Sequence, residues 1–133
     1  MCEENVEALR PVYEEWGRGN WRQRFQVYDP DMEWGWSEEF PGLGGVQRDS
    51  DLRSRRLRQW LSPWNFWRCE AQEFVSAGDF IVVLCRYLGR GKESGVDVVA
   101  LGAHVWKMRD GKAIRLEVFS SREKALEAAG LRE

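Results

Sequence analysis

His104 is the only histidine in the 133-residue chain, and it is the side chain best suited to acid–base chemistry. An imidazole exchanges protons near neutral pH, so it can donate a proton, accept one or bind a developing oxyanion. Period-two alternation predicts a strand around His104, with Trp106 on the same face. The pattern therefore indicates a proton-transfer group among aromatic side chains. A buried histidine that is bonded to a backbone carbonyl or a water is the alternative.

Glu117 is the carboxylate whose distance from His104 depends on the hairpin at Asp110-Gly111. A two-residue loop pairs His104 with Glu117, which would make Glu117 a candidate catalytic base. A three-residue loop with a glycine bulge pairs His104 with Leu116 instead and turns Glu117 outward, as a solvated residue or a salt-bridge partner. We favour the bulged register because it separates apolar from polar positions. Its apolar face carries His104, Trp106, Met108, Ile114, Leu116 and Val118.

Tryptophan is unusually frequent, with 8 residues in the chain. Several of them fall on segments that should face one interior, where they could line a cavity for a flat or cyclic apolar ligand. Ordinary core packing of large side chains is the alternative. The predicted ligand-binding set is Tyr13, Tyr28, Trp34, Trp36, Trp60, Trp64, Trp106, Leu116 and Val118.

Composition limits the class of protein. With 133 residues, 43% apolar residues and a net charge of -2, the sequence predicts one folded domain over residues 1–133. No apolar run approaches the roughly 18 residues of a membrane helix, and the acidic N-terminus does not resemble a signal peptide. The expected location is the cytoplasm, without membrane association. The arginines of segment 53–58 have acidic neighbours, which argues against nucleic acid as a partner.

Cysteine usage gives expectations about redox state and metals. The three cysteines, Cys2, Cys69 and Cys85, are an odd number without a CxxC pair, which favours reduced thiols. One histidine with no cysteine near it in sequence does not suggest a zinc site. We therefore expect neither a metal nor a cofactor.

The elements that must position these residues are helices first and strands later. Apolar spacing predicts helices over residues 3–16, 20–28 and 51–61, with a kink at Pro11, a strand over 32–36 and a loop over 40–45. Trp60 and Trp64 are assigned to the third helix. Period-two alternation predicts strands over 67–77, 80–89, 96–108 and 113–119. A last helix over 122–129 begins with a capping box of Ser120 and Glu123. This order predicts an α+β fold.

Four segments in this order resemble the nuclear transport factor two-like superfamily, and especially its SnoaL-like members. The segments are Trp16-Gly17-Arg18-Gly19-Asn20-Trp21, Tyr28-Asp29-Pro30-Asp31-Met32-Glu33-Trp34, His104-Val105-Trp106-Lys107-Met108-Arg109-Asp110-Gly111-Lys112 and Glu117-Val118-Phe119. The resemblance implies a cone-shaped, curved antiparallel sheet that wraps around N-terminal helices and encloses one apolar pocket. It also implies a homodimer through the outer sheet face, where Val99, Leu101, Val105 and Phe119 would supply apolar contacts.

The resemblance implies a range of functions rather than one. Its members include polyketide cyclases, ketosteroid isomerases, limonene epoxide hydrolases, scytalone dehydratases and non-catalytic binders. The position of His104 holds a histidine in the cyclases and an oxyanion-binding carboxylic acid in the isomerases. The carboxylates of the relatives fall at Val118 and at about Trp36, so two catalytic positions are apolar here.

Three hypotheses follow from these observations. The first is a protein that binds a small apolar, cyclic molecule in its pocket, with or without acid–base chemistry at His104. The second is a cofactor-independent cyclase, isomerase, dehydratase or epoxide hydrolase. The third is a protein-interaction module that uses the outer sheet face.

Overall fold

The computed structural model describes residues 2–21, 25–36, 45–47 and 50–131. It confirms the α+β class. Three helices accompany six strands in these ranges, in the order α1 (Cys2–Gly17), β1 (Tyr28–Trp36), β2 (Gly45–Gln47), α2 (Ser50–Leu61), β3 (Trp64–Ala77), β4 (Phe80–Gly91), β5 (Asp97–Arg109), β6 (Lys112–Phe119) and α3 (Arg122–Ala128). None of the helices described is long and apolar enough to cross a membrane.

Helix α1 runs without interruption through Pro11, where the sequence predicts a kink. Its apolar face consists of Leu9, Val12, Tyr13 and Trp16, which are all buried and belong to the main core cluster between α1 and the sheet. Burial stabilises each such side chain by roughly 1.5–3 kcal/mol, which together outweighs the ~3 kcal/mol that an internal proline costs. The burial of this apolar face therefore keeps α1 continuous through Pro11.

The six strands form one sheet in the order β2-β1-β6-β5-β4-β3. Every pairing is antiparallel except that of β1 with β6, which is parallel, so the sheet is mixed rather than antiparallel throughout. Strand β1 already begins at Tyr28. A helix that reaches Tyr28 is therefore wrong, and residues 22–24 of that predicted helix lie outside the described ranges. Most of the predicted loop over 40–45 does so too.

Strands β1 and β3 begin earlier than the sequence pattern predicts, so that β1 includes Pro30 and β3 includes Trp64. Pro30 lies within β1, where the pairing with β6 shifts register between Tyr28 and Glu33 and so tolerates a residue without an N–H. Trp64 opens β3, since α2 ends at Leu61 and Pro63 prevents its continuation.

The β5–β6 hairpin combines a tight loop with a bulge. Asp110 (φ 51°) and Gly111 (φ 77°) form the two-residue loop, and Arg109 pairs with Lys112. The register then shifts because Ile114 is an extra residue in β6, so that His104 pairs with Val118. The favoured three-residue loop is therefore wrong, and so is a direct His104–Glu117 pair. The apolar and polar faces separate as expected, except that Ala113 takes the inner position assigned to Ile114.

Strand β3 carries a second bulge, at Gln72. The β3–β4 register shifts between Ala71 and Glu73, so that Cys69 pairs with Tyr87 and Ala71 with Cys85. Without this extra residue, Cys69 would point away from Cys85, because a one-residue slip moves a side chain to the opposite face. The bulge thus brings Cys69 to the face of the sheet that packs against α1, which we call the concave face.

Helix α3 covers part of the outer sheet face. Its N-cap is Ser121, whose side chain accepts a hydrogen bond from the Lys124 amide, so the prediction of Ser120 is wrong by one residue. Ala125 and Ala129 pack with Val105 and Phe119, which are 4% and 7% exposed. Val105 and Phe119 thus lie on the outer face as expected, but the prediction that they supply a dimer contact is wrong because the chain's own helix covers them.

Candidate functional site

The register of three neighbouring strands stacks the predicted site residues in two layers. In one layer Trp34 of β1 pairs with Leu116 of β6, which pairs with Trp106 of β5. In the next layer Trp36 pairs with Val118, which pairs with His104. The backbone of Trp36 is described, whereas its side chain lies outside the described part. The parallel β1–β6 pairing thus brings residues from the two ends of the chain to one face.

His104 is buried, with 2% of its surface exposed, and both of its ring nitrogens have tyrosine partners. Its Nδ1 lies 2.6 Å from the hydroxyl of Tyr13 on α1, and its Nε2 lies 2.7 Å from the hydroxyl of Tyr87 on β4. The Cys85 sulfur is 3.9 Å from Nε2. Tyr13 accepts a further hydrogen bond from the Trp106 indole N–H at 2.7 Å. Both ring nitrogens of His104 are therefore engaged in hydrogen bonds.

The direction of this hydrogen-bond chain follows from what each group can do. An indole N–H only donates, so the Tyr13 oxygen accepts from Trp106 and its own O–H is free to donate to Nδ1 of His104. Because Nδ1 accepts, the ring donates from Nε2 to the Tyr87 oxygen. A directed chain of three hydrogen bonds therefore runs from Trp106 through Tyr13 and His104 to Tyr87.

Burial and neighbouring groups set the ionisation of this cluster. Burial raises the pKa of Tyr13 and of Tyr87, which keeps both phenols protonated as the chain requires. Burial also raises the pKa of Cys69. The hydrogen bond with Cys69, followed by the nearby His104, lowers the pKa of Cys85. Cys85 is therefore the thiol of the pair that gives up its proton first.

Aromatic rings enclose the imidazole. Tyr13 stacks on it with ring centroids 5.7 Å apart, and Trp16 meets it edge-on at 5.6 Å. Trp106 is fully buried and stacks between Trp16 at 6.0 Å and Tyr28 at 6.2 Å. Trp106 thus fills the centre of the interior, whereas Val118 and Tyr87 beside His104 remain partly exposed.

Trp60 and Trp64 belong to a second aromatic group, which adjoins the first. The rings of Trp64 and Trp67 lie 4.6 Å apart, and Trp60 meets Trp67 at 5.4 Å. Trp67 in turn stacks on Tyr87 at 5.3 Å. Trp60 and Trp64 are therefore linked to His104 through two other rings and do not touch it.

Glu117 is not brought to His104. It pairs with Val105 on the opposite face of the sheet, where its carboxylate lies 3.5 Å from Arg115. That face forms a groove of about 1010 Å³ with a largely charged lining. The groove is lined by Asp29, Asp31, Glu33, Phe80, Val105, Lys107, Arg109, Asp110, Lys112, Ile114, Arg115, Glu117 and Ala128. It differs in face and in chemistry from the apolar pocket that the sequence predicts.

The sequence pattern underestimates the contribution of β3 and β4 to the site. The predicted catalytic and ligand-binding residues do not include Tyr87, Trp67, Cys69 or Cys85. Cys85 and Tyr87 are two residues apart, which is the one signal that places them on the same face. The positions of Trp67 and Cys69 depend on the bulge at Gln72, which alternation does not reveal.

Comparison with known proteins identifies the family. A model of the SnoaL-like domain matches residues 9–116. An NTF2-like protein of unknown function from Burkholderia pseudomallei is 23% identical, with a TM-score of 0.75, over 93% of this chain and 95% of its own. TerC, co-crystallised with polyporic acid, is 25% identical, with a TM-score of 0.73, over 96% and 98%.

A third similar structure is a putative SnoaL-like polyketide cyclase from Jannaschia. It is 18% identical, with a TM-score of 0.70, over 96% of this chain and 91% of its own. The curated proteins contain no match. The matched region includes the part of α1 from Leu9 to Gly17 and every residue of the two layers except Val118. The chain belongs to the SnoaL-like domain family.

Proposed function

We propose that this protein binds a small, largely apolar cyclic molecule against the concave face of the sheet, beside His104. The observation that carries the proposal is one polar group set in an aromatic wall: the imidazole with the hydroxyls of Tyr13 and Tyr87. Small-molecule sites commonly combine an apolar lining with a few placed polar groups. Val118 and Tyr87 are the partly exposed side chains through which a ligand would reach this group.

The similar structures support the class of ligand. TerC, which matches nearly the whole chain, was crystallised with polyporic acid. The aromatic residues of this chain offer flat rings for stacking, and Tyr28 and Trp34 meet edge-on at 5.3 Å within the same wall. We therefore choose polyporic acid as the first probe.

Acid–base chemistry on the bound molecule is the second candidate. The directed hydrogen-bond chain through Tyr13 and His104 to Tyr87 supports it, because such a chain can hold or pass a proton. Removal of a proton from carbon also requires a base, and the polar partners of His104 among the described residues are two tyrosines and a cysteine rather than a carboxylate. Binding is for this reason the first candidate.

Filling the concave face is expected to weaken binding. Val118→Phe adds bulk next to His104, and we expect it to raise the Kd of polyporic acid at least tenfold, about 1.4 kcal/mol. Ile114→Phe is the matched control, since it is on the same strand but lines the outer groove, and its Kd should stay within about twofold. Quenching of tryptophan fluorescence measures both values. An equal rise of Kd in both variants would mean that the ligand does not bind beside His104. Quenching that does not saturate, with polyporic acid and with steroid probes alike, would refute a cyclic apolar ligand.

We also propose a homodimer through the outer face of β5. Val99 and Leu101 are 63% and 55% exposed on that face, which is unusual for two neighbouring aliphatic residues of one strand. Leu101→Glu should convert a dimer to a monomer in sedimentation velocity at micromolar concentration. A monomeric wild-type chain under the same conditions would contradict the proposal.

The cytoplasm is the proposed location of the protein. Cys69 and Cys85 are buried free thiols, and a reducing compartment keeps such thiols in that state. Fractionation of cells that carry the tagged chain tests this, and recovery in an oxidising compartment would argue against it.

A further inference from the structure

Two thiols and an imidazole converge on the concave face, although the sequence separates them widely. Cys69, Cys85 and His104 lie on the three neighbouring strands β3, β4 and β5. Their ligand atoms all lie within 4.8 Å of one another, and all three side chains are buried. The Cys85 sulfur is 3.9 Å from Nε2 of His104. Cys69 pairs with Tyr87 and His104 pairs with Val83, so each is the diagonal neighbour of Cys85, which lies between Val83 and Tyr87 on β4. The bulge at Gln72 puts Cys69 on the same face as the other two.

The geometry points to a metal site at Cys69, Cys85 and His104 that takes a thiophilic divalent cation, with Zn²⁺ as the fitting ion. Two sulfurs and one imidazole nitrogen are the donor types that zinc prefers. Zinc–sulfur and zinc–nitrogen bonds of ~2.3 and ~2.0 Å put the donors of a tetrahedral site about 3.5–3.8 Å apart. The ligand atoms lie within 4.8 Å of one another, so they need to approach by about 1 Å at most to bind the ion. The site goes beyond the proposed ligand binding, although both involve His104.

Tyr87 is the available fourth donor. Its hydroxyl is 2.7 Å from Nε2 of His104, and the Cys85 sulfur is 3.9 Å from the same nitrogen, so the hydroxyl borders the group of ligand atoms. Coordination by two thiolates and a neutral imidazole releases two protons, one from each thiol. The ring proton would then lie on Nδ1, where the Tyr13 oxygen, 2.6 Å away, accepts it. Such a partner at the second nitrogen is common for a histidine that binds a metal.

Burial affects how the metal enters. Cys69 and Cys85 are 0% exposed, so the ion has no direct path from solvent in the folded chain. Metal sites of this kind load as the chain folds, and their occupancy is retained until it unfolds. We therefore expect zinc bound in the cell to remain during purification and to resist a chelator under native conditions.

Metal content of the full chain tests the site. Protein expressed with zinc in the medium and purified without chelator should contain about one Zn²⁺ per chain by elemental analysis. Refolding with Co²⁺ should give the visible bands of tetrahedral cobalt and a thiolate-to-cobalt charge-transfer band in the near ultraviolet. Less than about a tenth of an equivalent of zinc, together with no charge-transfer band, would overturn the proposal.

Variants separate this site from an adventitious ion. Cys69→Ala and Cys85→Ala should each lose most of the zinc and the charge-transfer band, whereas Cys2→Ser, which changes the third thiol of the sequence, should retain both. Zinc kept equally by all three variants would overturn the proposal. Far-ultraviolet circular dichroism checks folding, and the cobalt spectrum of the wild-type chain decides the question if a variant does not fold. Binding of polyporic acid is measured separately on the chain refolded without metal, so that failure of one proposal does not decide the other.

Discussion

Trp106→Ala is expected to lower the free energy of unfolding by about 3–5 kcal/mol, the largest effect of any single substitution we propose. Among the side chains that the structure describes, Trp106 is the largest that is fully buried, and it stacks between Trp16 and Tyr28 at the centre of the interior. Its removal leaves a cavity and also deprives the Tyr13 oxygen of its indole donor. Urea unfolding followed by circular dichroism measures the change.

Trp60→Ala is the matched control for the Trp106 variant. The residue type is the same, but Trp60 is 36% exposed and lies at the edge of the second aromatic group. Its loss should cost about 1–2 kcal/mol, because less surface leaves contact with the protein. Similar losses in the two variants would mean that Trp106 does not form the centre of the core.

Tyr13→Phe is expected to lower the free energy of unfolding by about 2–4 kcal/mol, although it removes a single oxygen. That oxygen accepts from the Trp106 indole at 2.7 Å and bonds Nδ1 of His104 at 2.6 Å. Phenylalanine keeps the ring but leaves two buried polar atoms without a partner. The free-energy cost of leaving these buried atoms unpaired exceeds the net stabilisation by the lost hydrogen bonds, because water does not reach the atoms.

The comparison variant for Tyr13→Phe is Tyr28→Phe. Tyr28 is half-buried, so water can take the place of its hydroxyl contacts and the loss should stay near 1 kcal/mol. A double-mutant cycle of Tyr13→Phe with Trp106→Phe adds a direct test. The double variant should lose less than the sum of the two single losses, by about 0.5–3 kcal/mol, because both single changes break the same bond. Strict additivity would contradict a hydrogen bond between the two residues.

Local patterns predict most elements of this fold. Period-two alternation indicates the strands from 67 to 119, and apolar spacing indicates α1, because each depends only on which face is buried. The α+β class follows from the order of helices and strands. The tight loop at Asp110-Gly111 is one of the two alternatives that the residues allow, since both positions require a positive φ.

Register and long-range pairing are what local patterns miss. The extra residues Gln72 and Ile114 shift the pairing by one position, and nothing in the alternation marks them. The parallel pairing of β1 with β6 joins segments some 80 residues apart, so it depends on the whole sheet. His104 and Trp106 are predictable as inner residues of a strand. The partnership of His104 with Tyr87 and Cys85 is not, because it depends on the register of two further strands.

The most direct measurement of the central proposal uses the fact that the chain has 1 histidine. In a ¹³C-labelled sample the ring Cε1–H gives one imidazole signal, which reports on His104 alone. Addition of polyporic acid should shift this signal and the Trp106 indole N–H signal with the same saturation curve as the fluorescence quenching. Saturable quenching that leaves the His104 signal in place, while signals of Lys107 and Arg115 in the outer groove move, would contradict binding at the concave face.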